Sequence, residues 1–263
     1  MDLFAHRGVS AHYPENTKAA FYAASKLPIA GIELDVHVTA DGELVVIHDE
    51  TIDRTSNGSG YVKDFTLQQL RAYDYGSWFA AQFQGESIPT LGEVLELFVA
   101  THHRINIELK TDVFPYEGIE ALVLKEIATH QMTERVIISS FNHESLQTVY
   151  QMAPYIETAA LFAEVLVDFT TYTATIPAKA IHVSLPTAFR KPIATALERE
   201  ATVRVYTVND VKYAKQLQQL GIQALFTDDP EAILDGINRT KKFATLFYQW
   251  RKEGEFFCVL KWK

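Results

Sequence analysis

The sequence contains few of the features that mark secreted or membrane proteins. Cys258 is its one cysteine, so no intramolecular disulfide can form, which fits a reducing compartment. No run approaches the ~20 apolar residues that span a bilayer. The first residues, MDLFAHRGVSAHYPENT, lack the basic and apolar regions of a signal peptide. We therefore expect a soluble cytoplasmic protein.

The sequence also contains fewer basic than acidic residues. Lys and Arg number 24 against 33 Asp and Glu, which gives a net charge of -9. This balance argues against a nucleic-acid partner, which would require clustered cations. It does not exclude a phosphorylated small-molecule substrate, because a few local cations and a metal can reverse the field inside a pocket. The 48% hydrophobic and 22% charged content is that of an ordinary globular protein.

Short strand-forming runs alternate with amphipathic helical patterns along residues 1–238. Alternation of this kind predicts a parallel sheet of the α/β class, and eight units predict a closed (β/α)8 TIM barrel, which typically needs about 250 residues. An open doubly wound sheet is the alternative, disfavoured by the lack of a GxGxxG turn after the first strand. The eight predicted strands begin at Leu3, Ile32, Ile105, Val136, Glu157, Ala180, Val203 and Ala224.

Two segments depart from this rhythm near the second strand. Residues 44–48 are expected to run back antiparallel after the turn at Asp41-Gly42, a strong hairpin signal. Thr51–Pro89 is then an insertion between strand 2 and helix 2, and a loop of that length is usually functional. We predict that Trp78, Phe79 and Phe83 form the insertion's own small core, with a lid over the substrate as the alternative.

The first helical pattern and the C-terminal end allow further predictions. Asn16–Lys26 is predicted to be the first helix, with Asn16 as its cap. Residues 239–263 form a basic and aromatic tail, with a hairpin pattern around Lys252-Glu253-Gly254. We expect the tail to pack on the barrel or on a second subunit in a homodimer; contact with a membrane surface is the less favoured alternative.

Ionisable residues gather at the predicted ends of three strands. Glu33 and Asp35 share one face because side chains alternate along a strand, and Glu108 and Lys110 repeat the spacing. The carboxyl ends of barrel strands meet at the rim that holds the active site in this fold. His6 and Arg7 follow the first strand, and His48 follows the predicted hairpin.

Three converging carboxylates, Glu33, Asp35 and Glu108, predict a divalent cation. Without one they would repel each other, and all-oxygen ligands suit Mg²⁺ or Ca²⁺. A structural ion pair with barrel Lys or Arg is the alternative for each of them.

The basic groups beside these carboxylates indicate the substrate. Arg7 and Lys110 would contact an anionic phosphate, while His6 and His48 are suited to general acid and base catalysis. Together with the acidic cluster they predict phosphoester cleavage. Glu15 either orients Arg7 or favours the helix start, and His37 is expected to lie past the strand end as a solvated or packing residue rather than a ligand.

The chain resembles the glycerophosphodiester phosphodiesterase family over nearly its full length. No single tetrapeptide is specific, but their order and spacing are. The matching stretches are Ala5–Gly8 (AHRG), Pro14–Thr17 (PENT), GIELDVHVTADGELVVIHD, Asp53–Thr66, Ile88–Leu95 (IPTLGEVL), Ile107–Lys110 (IELK), Ser139–Asn142 (SSFN), Tyr206–Asp210 (YTVND) and Thr227–Pro230 (TDDP).

The resemblance implies a (β/α)8 barrel with a small inserted cap. It also implies hydrolysis of glycerophosphodiesters to glycerol 3-phosphate and an alcohol. His6 and His48 would be the acid–base pair, and Phe141 would lie on the pocket wall. Tyr206 stands where the family usually has Trp, which preserves an aromatic wall but adds a hydroxyl that could alter the head group accepted.

Three questions stay open at this stage. A lysophospholipid head-group phosphodiesterase of the same superfamily and a barrel that binds glycerophosphodiesters without cleaving them are the alternative functions. Either water or a glycerol hydroxyl, giving a cyclic phosphate, could attack the phosphorus. The sequence does not assign the acid and base roles to the two histidines.

Overall fold

The computed structural model describes residues 1–238, so the predicted tail lies outside the described residues. The eight predicted strands are all present, and a short additional strand follows the second. They are β1 (Asp2–His6), β2 (Gly31–Val38), β3 (Leu44–Val46), β4 (Arg104–Leu109), β5 (Val136–Ser140), β6 (Glu157–Phe162), β7 (Ala180–Ser184), β8 (Thr202–Tyr206) and β9 (Ala224–Thr227).

Eight of these strands close into a parallel barrel. Their order around the sheet is β1-β9-β8-β7-β6-β5-β4-β2, and β1 also pairs with β2 in parallel, which closes the ring. The short β3 pairs antiparallel with β2, with Val36 opposite Val46. The fold is therefore a TIM barrel, and the predicted antiparallel return after β2 is confirmed.

Two apolar layers hold the barrel together. Phe4, Ile137 and Phe226 pack with small alanines inside the ring. Alternate strand residues such as Ile32 and Leu34 point outward and are fully buried beneath the helices. Glu33 and Asp35 occupy the alternate positions of β2. They therefore point into the ring, because side chains alternate along a strand.

Apart from α2 (Leu67–Leu70), which belongs to the insertion, the helices follow the strands as the alternation requires, and the longer ones pack apolar residues against the barrel. The sequence-predicted cap of the first helix is wrong: Thr17, not Asn16, is the cap and accepts a hydrogen bond from the backbone N–H of Ala20. The helices are α1 (Lys18–Ala24), α2 (Leu67–Leu70), α3 (Leu91–Phe98), α4 (Ile119–Thr129), α5 (His143–Met152), α6 (Phe169–Thr173), α7 (Leu185–Ala188), α8 (Lys191–Glu198) and α9 (Val211–Gln219), followed by a helix over residues 230–238.

The insertion Thr51–Pro89 contains α2 and two short 3-10 turns, and it has its own hydrophobic core. The prediction that Trp78, Phe79 and Phe83 form this core is wrong. Trp78 packs edge to face against Phe79, and Phe79 packs in the same way against Phe83; Trp78 is exposed. The buried core consists instead of Val45, Ile47, Ile52, Val62, Leu70, Tyr75 and Ile88.

At the end of the barrel where the strands begin, ion pairs line its floor. Glu157, at the start of β6, binds both Arg104 and Arg204. Arg204 is buried, and its Nη1 also donates to His182 inside the ring. Within residues 1–238, none of the helices has the length and apolar character to cross a membrane.

Candidate active site

Three acidic side chains meet inside the carboxyl end of the barrel. Glu33 and Asp35 lie two residues apart on β2, and Asp35 is directly opposite Glu108 on the neighbouring β4. One carboxylate oxygen from each lies within 4.8 Å of the others, and all three residues are buried. Because these oxygens converge away from water, they form a site that could hold a metal ion.

The charges in this cluster are not equally stabilised. Burial, followed by the charges of Asp35 and Glu108, raises the pKa of Glu33 well above its usual value. Asp35 is equally buried, but its pKa is lowered because the positive charges around it and a hydrogen bond from the Asn16 amide (2.9 Å) outweigh burial. Within this cluster, the ionised form of Glu33 is therefore less stabilised than that of Asp35.

Two cations flank the acids, as the sequence predicted. Lys110 Nζ lies 2.9 Å from Glu108 Oε1 and 3.5 Å from His48 Nε2. Its pKa is raised despite burial by the charges of Glu108 and Asp35. Arg7 Nε lies 3.3 Å from Asp35 Oδ2 as an ion pair without hydrogen-bond geometry.

Glu15 holds the other side of the Arg7 guanidinium. Arg7 Nη1 donates to Glu15 Oε1 at 2.9 Å. Of the two roles considered for Glu15, the structure therefore shows the one in which it orients Arg7. Gly8 follows with a φ of +81°, and a Cβ there would approach the backbone of Ala20 to 2.7 Å, so the turn after Arg7 requires glycine.

His6 is oriented by a carboxylate from the last barrel unit. Its Nδ1 lies 2.7 Å from Asp228 Oδ1, and its Nε2 lies 4.0 Å from Glu33. Asp228 also accepts hydrogen bonds from Ser10 Oγ and Asn209 Nδ2. Burial raises the pKa of Asp228, but the hydrogen bonds, that from His6 above all, lower it to about 2.

His48 has an equivalent partner next to it in sequence. Its Nδ1 lies 2.6 Å from Asp49 Oδ1. Burial would raise the pKa of Asp49, but hydrogen bonds from Arg54 and His48 lower it to about 2. An ionised carboxylate can only accept, so in both rings the first proton resides on Nδ1. Each Nε2 is then the atom that can take or give a proton.

His37 contacts the backbone of His48. The prediction that it lies past the end of its strand is wrong, because β2 extends to Val38 and His37 is fully buried. The carbonyl of His48 accepts from His37 Nε2 at 3.1 Å, so His37 Nδ1 must accept the hydroxyl hydrogen of Tyr116 at 3.0 Å. Burial lowers the pKa of His37, which agrees with this neutral form.

A cavity of about 260 Å³ opens at this rim. Phe141 and Tyr206 form one wall, with ring centroids 6.2 Å apart. The Tyr206 hydroxyl donates to the carbonyl of Phe162 at 2.8 Å, so it is already bound to the barrel. The predicted residues that line the cavity are His6, Arg7, Glu33, His48, Glu108, Phe141 and Tyr206, while Asp35 and Lys110 lie beside it.

Sequence reasoning missed the residues that hold the predicted ones. Asp49 follows His48 directly, and that adjacency was a usable signal. Asp228 and Asn209 lie within the TDDP and YTVND motifs, but nothing in a single sequence pairs them with a histidine more than two hundred positions away. Asn16 was predicted to cap the first helix, but its amide donates to Asp35 instead. An asparagine side chain suits either role.

Comparison with known proteins shows which family the chain belongs to. The family model described as "Glycerophosphoryl diester phosphodiesterase family" matches residues 6–232. A glycerophosphodiester phosphodiesterase of Caldanaerobacter subterraneus subsp. tengcongensis is 40% identical over 237 residues, which are 90% of this chain and 98% of that protein. One from Bacillus altitudinis is 42% identical over 87% of this chain and 95% of its own length.

Solved structures agree with the sequence relatives. A phosphodiesterase of Oleispira antarctica, in complex with the product sn-glycerol-3-phosphate, superposes with a TM-score of 0.84 at 28% identity, covering 90% of this chain and 97% of that one. A glycerophosphodiester phosphodiesterase of Thermotoga maritima superposes with a TM-score of 0.73 at 26% identity, covering 89% and 97%.

Proposed function

Because the chain belongs to the glycerophosphoryl diester phosphodiesterase family, a family of hydrolases, we propose that it hydrolyses glycerophosphodiesters to glycerol 3-phosphate and an alcohol. Glycerophosphocholine and glycerophosphoethanolamine are the substrates to test first. The similar Oleispira antarctica enzyme with sn-glycerol-3-phosphate bound supports this product.

The observation that carries the proposal is the pair of histidines on the cavity wall. His6 and His48 both line the cavity, and each is held through Nδ1 by an aspartate. With Nδ1 fixed, one Nε2 removes a proton from the nucleophile and the other donates a proton to the departing alcohol. Two oriented rings facing one space fit this pair of transfers.

The acidic cluster fits a divalent cation, Mg²⁺ or Ca²⁺. Glu33, Asp35 and Glu108 offer only oxygen atoms. Burial and the repulsion from the other two carboxylates raise the pKa of Glu33, and a cation would relieve that repulsion. When bound, such an ion would stabilise negative charge developing on the phosphoryl oxygens. Arg7 and Lys110 would bind the same group from either side, and Phe141 and Tyr206 would contact the apolar face of the substrate.

The central test is the hydrolysis of glycerophosphocholine by variants His6→Ala and His48→Ala. Both should lose turnover and keep their thermal unfolding midpoint. His12→Ala is the matched control, because His12 is also paired with an aspartate, Asp229 at 3.3 Å, but is mostly exposed. Near-normal turnover in both site variants would refute the proposal.

A change of leaving group assigns the two roles. A glycerophosphodiester of p-nitrophenol needs little help from a general acid, because its alcohol leaves as a stable anion. The histidine whose alanine variant recovers with this substrate is the acid, and the other is the base. Equal recovery in both variants would contradict separate roles.

The metal and the head group need their own assays. Thorough treatment with EDTA should abolish turnover, and Mg²⁺ or Ca²⁺ should restore it; full activity without metal would refute the ligand assignment.

Comparing glycerophosphocholine with lysophosphatidylcholine separates the proposed activity from a lysophospholipid phosphodiesterase. Binding without release of glycerol 3-phosphate would indicate a non-catalytic barrel. The cytoplasmic location and a homodimer stay predictions.

A further inference from the structure

Arg54, in the insertion, lies at the edge of the proposed active site. Arg54 contacts two carboxylates at once. Its Nε and Nη2 donate to Asp49 at 2.7 and 3.0 Å, and its Nη1 and Nη2 donate to Glu15 at 2.7 and 2.8 Å. Both contacts are bidentate, the geometry that makes guanidinium–carboxylate pairs strong and specific.

Each of these carboxylates also holds a residue of the proposed centre. Asp49 Oδ1 accepts from Nδ1 of His48 at 2.6 Å. Glu15 Oε1 accepts from Nη1 of Arg7 at 2.9 Å. A single guanidinium therefore connects a histidine that would transfer protons with an arginine that would bind phosphate.

The arrangement depends on the shape of the arginine side chain as well as its charge. Glu15 and Asp49 share the Arg54 Nη2 group, so their negative charges lie close together and would repel without a cation between them. A lysine ammonium could reach one of them, but it cannot present two donor pairs in fixed directions. Isolated exposed ion pairs contribute little, whereas a bidentate network restrains both partners.

Resting on the proposed function, we propose that Arg54 is a positioning residue, through which the insertion completes the active site. It holds Asp49 and Glu15 in the orientation that fixes the rings and guanidinium beyond them, His48 and Arg7. The insertion then contributes to the active site in addition to forming its own core. Its contribution reaches the substrate only through these two carboxylates.

The first test compares Arg54→Ala and Arg54→Lys with a control arginine of the same insertion. Arg71 is the control, because it is similarly exposed and pairs with a carboxylate, Glu93 at 2.7 Å, away from the cavity. We expect Arg54→Ala to lower kcat about 10- to 100-fold, the loss of one charge-assisted restraint on a catalytic group. It should also raise KM for glycerophosphocholine through Arg7. Arg54→Lys should recover little, and Arg71→Ala should change kcat and KM less than about twofold.

Double variants separate positioning from simple support of the fold. If Arg54 acts through Asp49, adding Arg54→Ala to an Asp49→Asn variant should lower kcat far less than Arg54→Ala does alone. Adding it to Glu15→Gln should likewise change KM little further. Independent, multiplying losses in both backgrounds would overturn the proposal, as would a kcat for Arg54→Ala within twofold of the wild type.

A measurement without turnover keeps this proposal distinct from the proposed function. In protein labelled with ¹⁵N-histidine, the His48 Nδ1–H bonded to a carboxylate should give a slowly exchanging, downfield proton signal, identified by its loss in His48→Ala. We expect the signal to disappear or shift in Arg54→Ala and to persist in Arg71→Ala. An unchanged signal in Arg54→Ala refutes the positioning role. A wild type that shows the signal but hydrolyses no glycerophosphodiester refutes the proposed function instead.

Discussion

Replacing Glu33 with Gln should make the metal-free protein more stable while removing its cation site. The substitution keeps the shape of the side chain and removes one of three buried negative charges within 4.8 Å. The amide oxygen of Gln can still accept the backbone N–H of Arg7, which lies 3.1 Å from Glu33 Oε2. The change is therefore mainly one of charge.

The size of the effect follows from the distances. Two unit charges about 5 Å apart in a medium of effective dielectric ~20 repel by roughly 3 kcal/mol. Glu33 has two such neighbours, but Arg7 offsets part of this repulsion. We expect a net gain of about 1–3 kcal/mol in the free energy of unfolding. For a chain of this size that raises the unfolding midpoint by roughly 2–4 °C per kcal/mol.

The assay is thermal unfolding in EDTA, followed by titration with Mg²⁺ or Ca²⁺. Added cation should raise the midpoint of the wild type, because it binds the folded state only, and should leave Glu33→Gln unchanged. The pH dependence has a definite sign. The pKa of Glu33 is raised in the folded state, so the wild type should lose stability as the pH rises from about 4.5 through that raised pKa. The Gln variant should not show this loss.

Glu157→Gln provides the opposite control on the same barrel. Glu157 binds Arg104 and Arg204, so removing its charge leaves a buried cation without its partner and should lower the midpoint. If Glu33→Gln in EDTA lowered the midpoint as Glu157→Gln does, the repulsion argument would be wrong. The carboxylates would then be held by their neighbours as a structural network.

Three further substitutions test the surroundings of the site. Asp228→Asn should lower kcat about 10- to 100-fold by weakening the bond to His6, and unchanged kcat would exclude an orienting role. Because the pKa of Asp228 is about 2 in the folded protein, its contribution to stability should be present above about pH 4. It should be lost as the pH falls through 2, and Asp228→Asn should lack this loss in acid unfolding. Tyr116→Phe leaves His37 Nδ1 without a donor and should cost about 1 kcal/mol in the free energy of unfolding, measured with urea; no change would mean that water replaces the hydroxyl. Tyr206→Phe should keep the ratio of kcat/KM for glycerophosphocholine and glycerophosphoethanolamine, since the hydroxyl is bound to a strand carbonyl; a changed ratio would show that it faces the head group.

The barrel could be predicted from sequence because its signal is local and repeated. Each strand is a short apolar run followed by an amphipathic pattern, and eight repeats leave few alternatives. The paired acids of β2 could be placed for the same reason, since alternation fixes their common face. The insertion has no such period, so Trp78, Phe79 and Phe83 were mistaken for its core. Its actual core draws on Val45 and Ile47 from the hairpin as well as on its own apolar residues.

The supporting residues of the site could not be predicted in the same way. Asp228 reaches His6 only because β9 lies next to β1 in the closed barrel. Asn16 has a local use as a helix cap and a distant one as a donor to Asp35, and only the fold shows the distant one. Contacts of this kind depend on closure of the ring, which composition and periodicity imply but do not resolve residue by residue.

Arg7 and Lys110 have two possible sets of anionic partners, the carboxylates of the acidic cluster and the phosphate of the substrate. In the metal-free protein Arg7 pairs with Asp35 and Lys110 pairs with Glu108, so part of their charge is used to neutralise the cluster. A divalent ion bound by the same carboxylates would take over that neutralisation and leave more of the field of Arg7 and Lys110 for a phosphate. Cation and glycerol 3-phosphate should therefore strengthen each other's binding by the same factor, since coupling between sites is reciprocal. Calorimetric titration of glycerol 3-phosphate with and without Ca²⁺ measures that factor, and equal affinities in the two titrations would show that the cluster and the phosphate cations act independently.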